Sequence, residues 1–387
     1  MYKIKTLNPI SSLGLDLLDS AKYTIADEIP NPDAILVRSA KMHDEVFNPE
    51  LLCVARAGAG VNNIPLERCA EEGIVVFNTP GANARAVVEL VFCGMLMAAR
   101  DIPGGMNWMK TIADDPEVVE KVEKGKAQFT GPELYGKTLG VIGLGAIGYK
   151  TANAAAAFGM NVLGYDPYLS AETAKKISAG VKLVDSLEAV YKQCDYISLH
   201  LPATKDTTGM IDEKAIAQMK DEVRIINMAR AELVNDDAIL AALGSGKVAR
   251  YVTDFPNAKT ADAKGVIAIP HLGASTPESE DNCAIMAAEE TRDYLEHGNI
   301  RNSVNMPDAY LEPSGSVRLC FFHCNSPAAT PAVLKILADK GIKETGMMEK
   351  TNNKYAYCII DVNAPVEEAL AEQIRQIDGV VRVRVIG

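Results

Sequence analysis

The chain has 387 residues and a formal net charge of −12 at pH 7, with 48% hydrophobic and 23% charged residues. This length allows two or three domains, and the composition is that of a globular protein with a sizeable core. The negative charge disfavours a nucleic-acid partner, which normally requires a clustered basic surface. The start, MYKIKTLNPISS, lacks the apolar stretch of a secretory signal, and the most apolar long segment, AVVELVFCGMLMAA, is too short to cross a bilayer. No membrane partner is therefore expected.

The first part of the chain alternates apolar runs with more polar stretches. The runs AILVRSA, CVARAGA and IVVFNT predict strands, and the alternation predicts a small α/β unit. Residues 103–135 are polar, charged and helix-prone, so we expect an arm or a connection there rather than core.

A stronger alternation begins at residue 140. Its strand-like runs are TLGVIG, NVLGYDPY, YISLHLP, VRIINMA, RYVTDF and VIAIP, and helical stretches lie between them at 186–192, 212–219 and 235–243. Strands that alternate with helices form a parallel sheet covered on both faces. The sequence therefore predicts a doubly wound α/β domain.

The last part of the chain predicts a linker and a separate module. The segment NMPDAYLEPSGS combines Pro, Gly and polar residues, as linkers do. Strand SVRLCFFH follows, then a helix in TPAVLKILADKG, strands GMMEKT and KYAYCIIDV, a helix in VEEALAEQIRQI and strand VVRVRVI. In the first helix Thr330 is expected as the cap, Pro331 at the first position and Gly341 beyond the end. The order βαββαβ indicates a compact module.

The eight cysteines are scattered, mostly within apolar segments, and none forms a CxxC pair. Reduced, buried thiols are expected, which fits a cytoplasmic protein. The segment CFFHCN at 320–325 is a single cluster, so a strand with small buried thiols is favoured over a metal site, and no metal is predicted.

A glycine pattern follows the first strand of the strong alternation. Gly143, Gly145 and Gly148 form G-x-G-x-x-G between a strand and a helix, and Asp166 ends the next strand. Such glycines permit a tight turn, close approach of the backbone to a pyrophosphate and close helix–strand packing, while the acid accepts hydrogen bonds from a ribose diol. The pattern predicts a dinucleotide site that prefers NAD to NADP. The alternative is a glycine turn of an α/β fold with a solvated Asp166.

Two further strands end in groups suited to 2-hydroxy-acid chemistry. Arg230 follows VRII, and His271 follows VIAIP, so both are expected at the carboxyl ends of strands, where ligands bind in open α/β sheets. Arginine can bind a carboxylate, and histidine can exchange the hydroxyl proton of the substrate. Alone, Arg230 could equally be a surface ion-pair residue and His271 a core histidine.

The sequence resembles the D-2-hydroxyacid dehydrogenase family. The segments VIGLGAIG, LHLPATKDTTGMI, INMARAELVNDDAI and IPHLGAST are similar to family motifs in the same order and spacing. LVRSA, ARAGAGVNNIP and NTPGANARAVVEL resemble the substrate-side segments of members that act on a phosphorylated acid, and the βαββαβ module resembles an ACT domain.

The resemblance implies an α/β fold of three domains. A flavodoxin-like substrate-binding domain comprises 1–98 and 275–303, a Rossmann NAD-binding domain 99–274, a linker 304–316 and an ACT-like domain 317–387. The implied reaction is oxidation of 3-phosphoglycerate to 3-phosphohydroxypyruvate with NAD, the first step of serine synthesis.

The resemblance also implies roles for individual residues. His271 transfers the proton and Arg230 anchors the carboxylate. The substrate contacts are Arg38, Ser39, Arg56 and Asn83, and Arg85 is a weaker candidate. The cofactor contacts are Gly143, Gly145, Ala146, Ile147, Gly148, Asp166, Pro202, Met228, Ala229, Asp254 and Gly273.

One departure from the family concerns the acid that normally pairs with the catalytic histidine. Where that Glu is expected, the sequence has Ala258 and Lys259, and Asp262 is the only carboxylate that follows nearby. Asp262 or another acid substitutes, the histidine is less basic, or activity is lost. We expect a working enzyme whose reduction reaction fades at lower pH than in relatives with the Glu.

Partners and alternatives follow from the same resemblance. The arm at 103–135 is expected to pack on a dimer partner, in a homodimer or homotetramer. Asn325 makes serine a candidate effector of the ACT-like domain, although Ala328 and Ala329 stand where that site usually has Gly. Alternative functions are dehydrogenation of glycerate, glyoxylate, lactate or 2-hydroxyglutarate, or NAD sensing without catalysis.

Overall fold

The structure is a computed structural model that describes residues 1–312, 314 and 317–387. The predicted linker at 304–316 falls partly on residues 313, 315 and 316, which lie outside the described residues. The chain divides into two compact units, Met1–Ala82 with Pro277–Gly387, and Asn83–Thr276. Within the described residues, no helix is long and apolar enough to cross a membrane.

Strands and helices alternate along the chain up to α11, and a βαββαβ succession follows. The strands are β1 Tyr2–Thr6, β2 Tyr23–Ala26, β3 Ala34–Val37, β4 Cys53–Arg56, β5 Val75–Asn78, β6 Thr138–Ile142, β7 Asn161–Tyr165, β8 Val181–Leu183, β9 Tyr196–Leu199, β10 Val223–Asn227, β11 Val248–Thr253, β12 Val266–Ala268, β13 Val317–His323, β14 Glu344–Thr351, β15 Ala356–Val362 and β16 Val380–Ile386. The α-helices are α1 Ser12–Leu15, α2 Leu66–Glu71, α3 Ala84–Ala99, α4 Ile102–Ile112, α5 Val118–Gly125, α6 Gly148–Ala157, α7 Ala171–Ala174, α8 Leu187–Gln193, α9 Glu213–Gln218, α10 Asp236–Ser245, α11 Pro277–His297, α12 Ala329–Asp339 and α13 Glu368–Arg375. Short 3-10 helices cover Lys126–Phe129 and Ala231–Leu233.

The unit Asn83–Thr276 contains the predicted doubly wound sheet. Its seven parallel strands have the order β12-β11-β10-β9-β6-β7-β8. The central strand β9 is buried at every position, as expected for a parallel strand covered by helices on both faces. The Rossmann-type fold is confirmed.

Helix α3 belongs to this unit, whereas the sequence assigned residues up to 98 to the substrate-binding domain. The reason is packing: a Cβ at Gly94 would lie 3.1 Å from side-chain atoms of both Met228 and Val252. In addition, the Arg224 side chain donates a hydrogen bond of 3.0 Å from Nε to the Ala98 carbonyl. The helix is therefore part of the core beneath the seven-stranded sheet.

The other unit contains two sheets. The first has five parallel strands in the order β2-β1-β3-β4-β5, which is the flavodoxin-like order, and α11 packs against it. The second is antiparallel, with the order β14-β15-β13-β16. The predicted βαββαβ succession is confirmed, including a strand across CFFH.

The cap of α12 differs from the prediction. The helix begins at Ala329 with Ala328 as its N-cap, so Thr330 lies inside the first turn. The Thr330 hydroxyl donates instead to Glu349 Oε2 at 2.6 Å on the neighbouring strand β14. This tertiary hydrogen bond replaces the local one that the sequence pattern suggested. Gly341 follows the end of the helix with a φ of +70°, as expected.

The C-terminal module packs onto the five-stranded part of its unit instead of standing apart. Phe322 and Tyr357 of its sheet are buried in the same core as Tyr294 of α11. Arg384 donates hydrogen bonds of 3.1 Å to the carbonyls of Tyr294 and Leu295 near the end of α11. The C-terminal module and the five-stranded part of this unit therefore share one hydrophobic core, which the predicted linker between them did not suggest.

Glu290 of α11 provides a test of this core. The side chain is 8% exposed, and Asn302 Nδ2 donates to its Oε1 at 2.7 Å. Burial raises the pKa of Glu290 to about 8, against the opposing effect of that hydrogen bond. In the folded protein the carboxyl therefore stays protonated at pH values where the unfolded chain has lost its proton.

We predict that Glu290→Gln removes a pH dependence of stability. A raised folded-state pKa means that the free energy of unfolding falls as pH rises from about 4.5 to about 8, by up to ~1.4 kcal/mol per pH unit. The amide keeps the acceptor for Asn302 and has no ionised form, so the variant should be more stable than the parent at pH 8. Urea unfolding between pH 5 and 8 measures this, with exposed Glu289→Gln as control. Equal slopes in the parent and Glu290→Gln would contradict it.

Candidate functional site

The glycine loop connects β6 to α6, and its three glycines meet different surroundings. Gly143 has a φ of +91°, and a Cβ there would lie 2.5 Å from the His200 carbonyl oxygen. A Cβ at Gly148 would lie 1.8 Å from the Gly143 carbonyl oxygen. A Cβ at Gly145 would meet no atom within 4 Å. The first and third glycines are thus required by the fold, while the second borders open space.

Asp166 lies at the end of β7, beside this loop. Its Oδ2 accepts a hydrogen bond of 2.8 Å from the Leu144 amide, and its Oδ1 accepts one of 2.8 Å from the Tyr168 amide. The carboxylate is therefore fixed by backbone on both sides and retains lone pairs for further donors. A fixed acid at this position suits a ribose diol and disfavours a second phosphate.

His200 follows β9 and packs against the glycine loop at Gly143 and Gly148. Its Nε2 lies 2.9 Å from Ser198 Oγ, and burial lowers the pKa of His200 to about 4. The ring is therefore neutral near pH 7 and adds no positive charge beside the loop. Sequence reasoning missed this residue, because an isolated histidine after a strand carries no specific signal.

The remaining predicted cofactor residues of this unit lie in loops that follow strands of the same sheet. Ala146 and Ile147 belong to the glycine loop, Pro202 follows β9, Met228 and Ala229 follow β10, Asp254 follows β11, and Gly273 follows β12. The carboxyl ends of parallel strands share one edge, so the fold brings these segments to the same side of the sheet.

Arg230 is held by a turn that depends on Asn227. The buried Asn227 Oδ1 accepts hydrogen bonds from the amides of Ala229 and Arg230, at 3.2 Å and 3.3 Å. Its Nδ2 donates to the Arg230 carbonyl at 2.8 Å and to the Tyr251 hydroxyl at 3.2 Å. The exposed Arg230 side chain thus extends from a fixed backbone, and its Nη1 donates to the Ala229 carbonyl at 2.6 Å.

Phe255 contacts both proposed catalytic side chains. The ring of His271 packs on it with 4.3 Å between centroids and 47° between planes. The Arg230 guanidinium carbon lies 5.6 Å from the centre of the same ring. His271 and Arg230 are therefore brought together around one aromatic side chain, as the sequence suggested for the pair but not for Phe255.

Asp254 is the carboxylate that the structure brings to this pair. It is 2% exposed, and its Oδ1 has no hydrogen-bond partner within the described part of the chain. Burial raises the pKa of Asp254, while positive charge at His271 and Arg230 and the Gly273 amide act in the opposite direction. By contrast, Asp262 is exposed in the turn before β12.

In the unit that contains Met1–Ala82, the side chain of Asn8 fixes the backbone of the segment after β3. Asn8 Oδ1 accepts hydrogen bonds from three successive amides, those of Arg38, Ser39 and Ala40, at 2.9, 3.0 and 3.1 Å. These bonds fix the backbone from which the Arg38 side chain extends. The sequence gave no reason to select Asn8, since it is distant along the chain.

Arg56 ends the neighbouring strand β4 and contacts the same segment. Its Nε donates to the Arg38 carbonyl at 3.0 Å, and Asn63 Nδ2 donates to that carbonyl at 3.3 Å. The Arg38 Nη2 forms an ion pair of 2.6 Å with Glu280 Oε1. Arg38, Ser39 and Arg56 are thus brought together, whereas Asn83 is the N-cap of α3 in the other unit, and Arg85 is exposed.

Comparison with known proteins agrees with this geometry. Residues 92–273 match the family profile of the D-isomer specific 2-hydroxyacid dehydrogenase, NAD binding domain. Similar proteins include D-3-phosphoglycerate dehydrogenase of Methanocaldococcus jannaschii, 36% identical over 82% of this chain and 62% of that one. The matched part of the chain is thus similar to the NAD-binding domain of that family. The human D-3-phosphoglycerate dehydrogenase is 38% identical over 74% of this chain and 53% of its own.

A solved structure is similar as well. The NAD+-bound 3-phosphoglycerate dehydrogenase of Entamoeba histolytica has a TM-score of 0.61 and 27% identity, over 80% of this chain and 99% of that one. The chain spans 62% and 53% of the length of the two curated relatives named above.

The described residues fit NAD. The open space at Gly145 is where backbone can approach a pyrophosphate, and α6 begins at Gly148 with its amides toward this loop. Asp166 fits the ribose diol, and the unpartnered Oδ1 of buried Asp254 is a further acceptor at the same edge of the sheet. The NAD-binding domain of the family is therefore complete in its glycine loop and acid.

We predict that alanine at Gly145 weakens NADH binding, whereas alanine at Gly148 lowers the stability of the fold. Gly145→Ala places a methyl group in open space, so the melting temperature should hold while NADH binding weakens about 5- to 150-fold, the equivalent of 1–3 kcal/mol of crowding. Gly148→Ala, the matched variant, should unfold at lower temperature because its methyl group meets backbone. Thermal melts and NADH fluorescence titration measure both effects. Unchanged NADH affinity in Gly145→Ala would contradict the assignment of the pyrophosphate site.

Proposed function

We propose that the protein is an NAD-dependent dehydrogenase that interconverts 3-phosphoglycerate and 3-phosphohydroxypyruvate. The observation that carries this proposal is the packing of Arg230 and His271 on the Phe255 side chain, with buried Asp254 electrostatically coupled to both, at the edge of the NAD-binding sheet. The names of the similar proteins support the choice of the phosphorylated acid.

The roles follow from the chemistry of each side chain. Arg230 binds the substrate carboxylate through its planar guanidinium. His271 takes the proton of the C2 hydroxyl during oxidation and returns it to the carbonyl oxygen during reduction. NAD, which the glycine loop and Asp166 would hold, would supply the hydride acceptor for oxidation at C2 and, as NADH, the hydride donor for reduction. Phe255 restrains the imidazole, and Asn227 restrains the backbone of Arg230.

Arg38 and Arg56 are proposed to bind the phosphate, and Ser39 and Asn83 are proposed to add hydrogen bonds to the substrate. A phosphorylated acid carries several negative charges, so more than one guanidinium is needed to bind it. The fixed backbone at Arg38, organised by Asn8, supports this role because a preorganised side chain loses less conformational entropy on binding.

Asp254 is proposed to take the place of the absent family Glu. A nearby ionised carboxylate favours the charged imidazolium, which is the form that donates a proton during reduction. Asp254 is buried beside His271 and Arg230, whereas Asp262 is exposed. Among the three explanations offered by the sequence, this supports substitution by another acid.

Self-association and serine binding stay predictions. The helices α3 and α4 present an apolar cavity of about 790 Å³, lined partly by Phe92, Leu96 and Met106, and Met106 is 61% exposed. This is the surface that a second copy of the chain is proposed to cover. Asn325 donates to the Asn352 carbonyl at 2.8 Å, so it is engaged within its own module.

We predict NADH oxidation with 3-phosphohydroxypyruvate in preference to glyoxylate, hydroxypyruvate and 2-ketoglutarate, because only the first has a phosphate for two arginines. Initial rates with each acid between pH 5 and 9 measure this. Arg230→Lys should lose about 10- to 100-fold in kcat/KM, since Lys lacks the bidentate fork. Preference for another acid would contradict this proposal and favour one of the alternative dehydrogenase activities. Tight NADH binding without turnover of any acid would indicate an NAD sensor.

We further predict that Asp254→Asn shifts the pH profile of reduction. Asn removes a buried negative charge that is coupled to both proposed catalytic side chains, so the rate of reduction at saturating NADH should fall off at a lower pH than in the parent. Asp262→Asn is the matched control and should leave the profile unchanged. A shift in the control, or none in Asp254→Asn, would contradict the role of Asp254.

A further inference from the structure

Arg38, the proposed phosphate-binding residue, already has a carboxylate partner within its own unit. Its Nη2 lies 2.6 Å from Glu280 Oε1, and the two side chains are 36% and 42% exposed. A ligand phosphate that binds Arg38 Nη2 therefore competes with Glu280 for that nitrogen.

The position of Glu280 is fixed independently of this ion pair. Glu280 lies in the first turn of α11. The next residue, Asp281, accepts a hydrogen bond of 2.5 Å on its Oδ1 from Ser11 Oγ, just before α1. A Cβ at Gly14 would lie 2.4 Å from the Ala284 backbone, so α1 packs closely on α11 just beyond Glu280.

The position of Arg38 is fixed independently as well. Its amide donates to Asn8, and its carbonyl accepts from Arg56 and Asn63. Since both backbones are held by other contacts, the ion pair is not needed for folding, and an exposed pair contributes little to stability. Its effect on a ligand of Arg38 is larger, because Glu280 both occupies the guanidinium and repels an anion placed there.

We propose that Glu280 is a specificity-determining residue, which neutralises Arg38 in the absence of substrate and sets how strongly the site favours a dianionic phosphate. This inference rests on the proposed function for the identity of the substrate. A phosphate dianion can displace the carboxylate from Arg38. An uncharged hydroxymethyl group at the same substrate position cannot compete with it, so the two acids respond differently to removal of Glu280.

The test compares two acids that differ only in the phosphate. In Glu280→Gln, KM for 3-phosphohydroxypyruvate should fall about 2- to 10-fold at low ionic strength, because the competing and repelling charge is lost. KM for hydroxypyruvate should stay within about 2-fold, and added salt should reduce the difference. Glu278→Gln is the matched control: it removes the same charge from an exposed position of the same turn and should leave both KM values unchanged.

A binding measurement separates failure of this inference from failure of the proposed function. Inorganic phosphate should raise the melting temperature of Glu280→Gln at about 2- to 5-fold lower concentration than for the parent. In an Arg38→Gln background, Glu280→Gln should make no difference. If neither acid is turned over, the proposed function fails, and the phosphate titration still tests Glu280. An unchanged or raised KM, an equal fall for both acids, or a phosphate response that is unchanged by Glu280→Gln would overturn the inference.

Discussion

The candidate site depends on one constraint, the parallel arrangement of the seven-stranded sheet. Because all strands run the same way, every loop that leaves a carboxyl end emerges on one edge, and the glycine loop, Asp166, Arg230, Asp254 and His271 all lie in such loops. The close approach at Gly148, where no side chain fits, lets α6 begin directly at that edge. Chemistry that is spread over a long stretch of sequence is thus brought together by the backbone alone.

The alternation of strands and helices, the glycine pattern and the pair Arg230–His271 could be predicted from sequence, since each leaves a local or motif-level signal. The supporting residues could not. Asn227 acts through a turn and a neighbouring strand, and Asn8 acts on a segment distant along the chain. Thr330 looked like a cap, but a partner on another strand determined its hydrogen bond. Tertiary contacts of this kind have no periodicity or spacing that a single sequence reveals.

Asp254 and Glu280 differ in their exposure to solvent, so we expect salt to screen their charges to different extents. Asp254 is buried, so its charge is weakly screened, and its influence on His271 and Arg230 is expected to persist at high salt. Glu280 is partly exposed, so its effect on Arg38 is screened by salt and can be displaced by a ligand. The first arrangement suits a permanent partner in proton transfer, and the second suits a partner that gives way to substrate.

The end of α11 links the C-terminal module to the segment that carries Glu280. The module's Arg384 donates to the carbonyls of Tyr294 and Leu295 near the end of α11, which also accept from the Gly298 amide and the Tyr2 hydroxyl, and Arg318 donates to the carbonyl of His297 at 2.7 Å. Arg318 itself is paired with buried Asp361 at 2.6 Å. The module thus completes a helix whose first turn contacts Arg38.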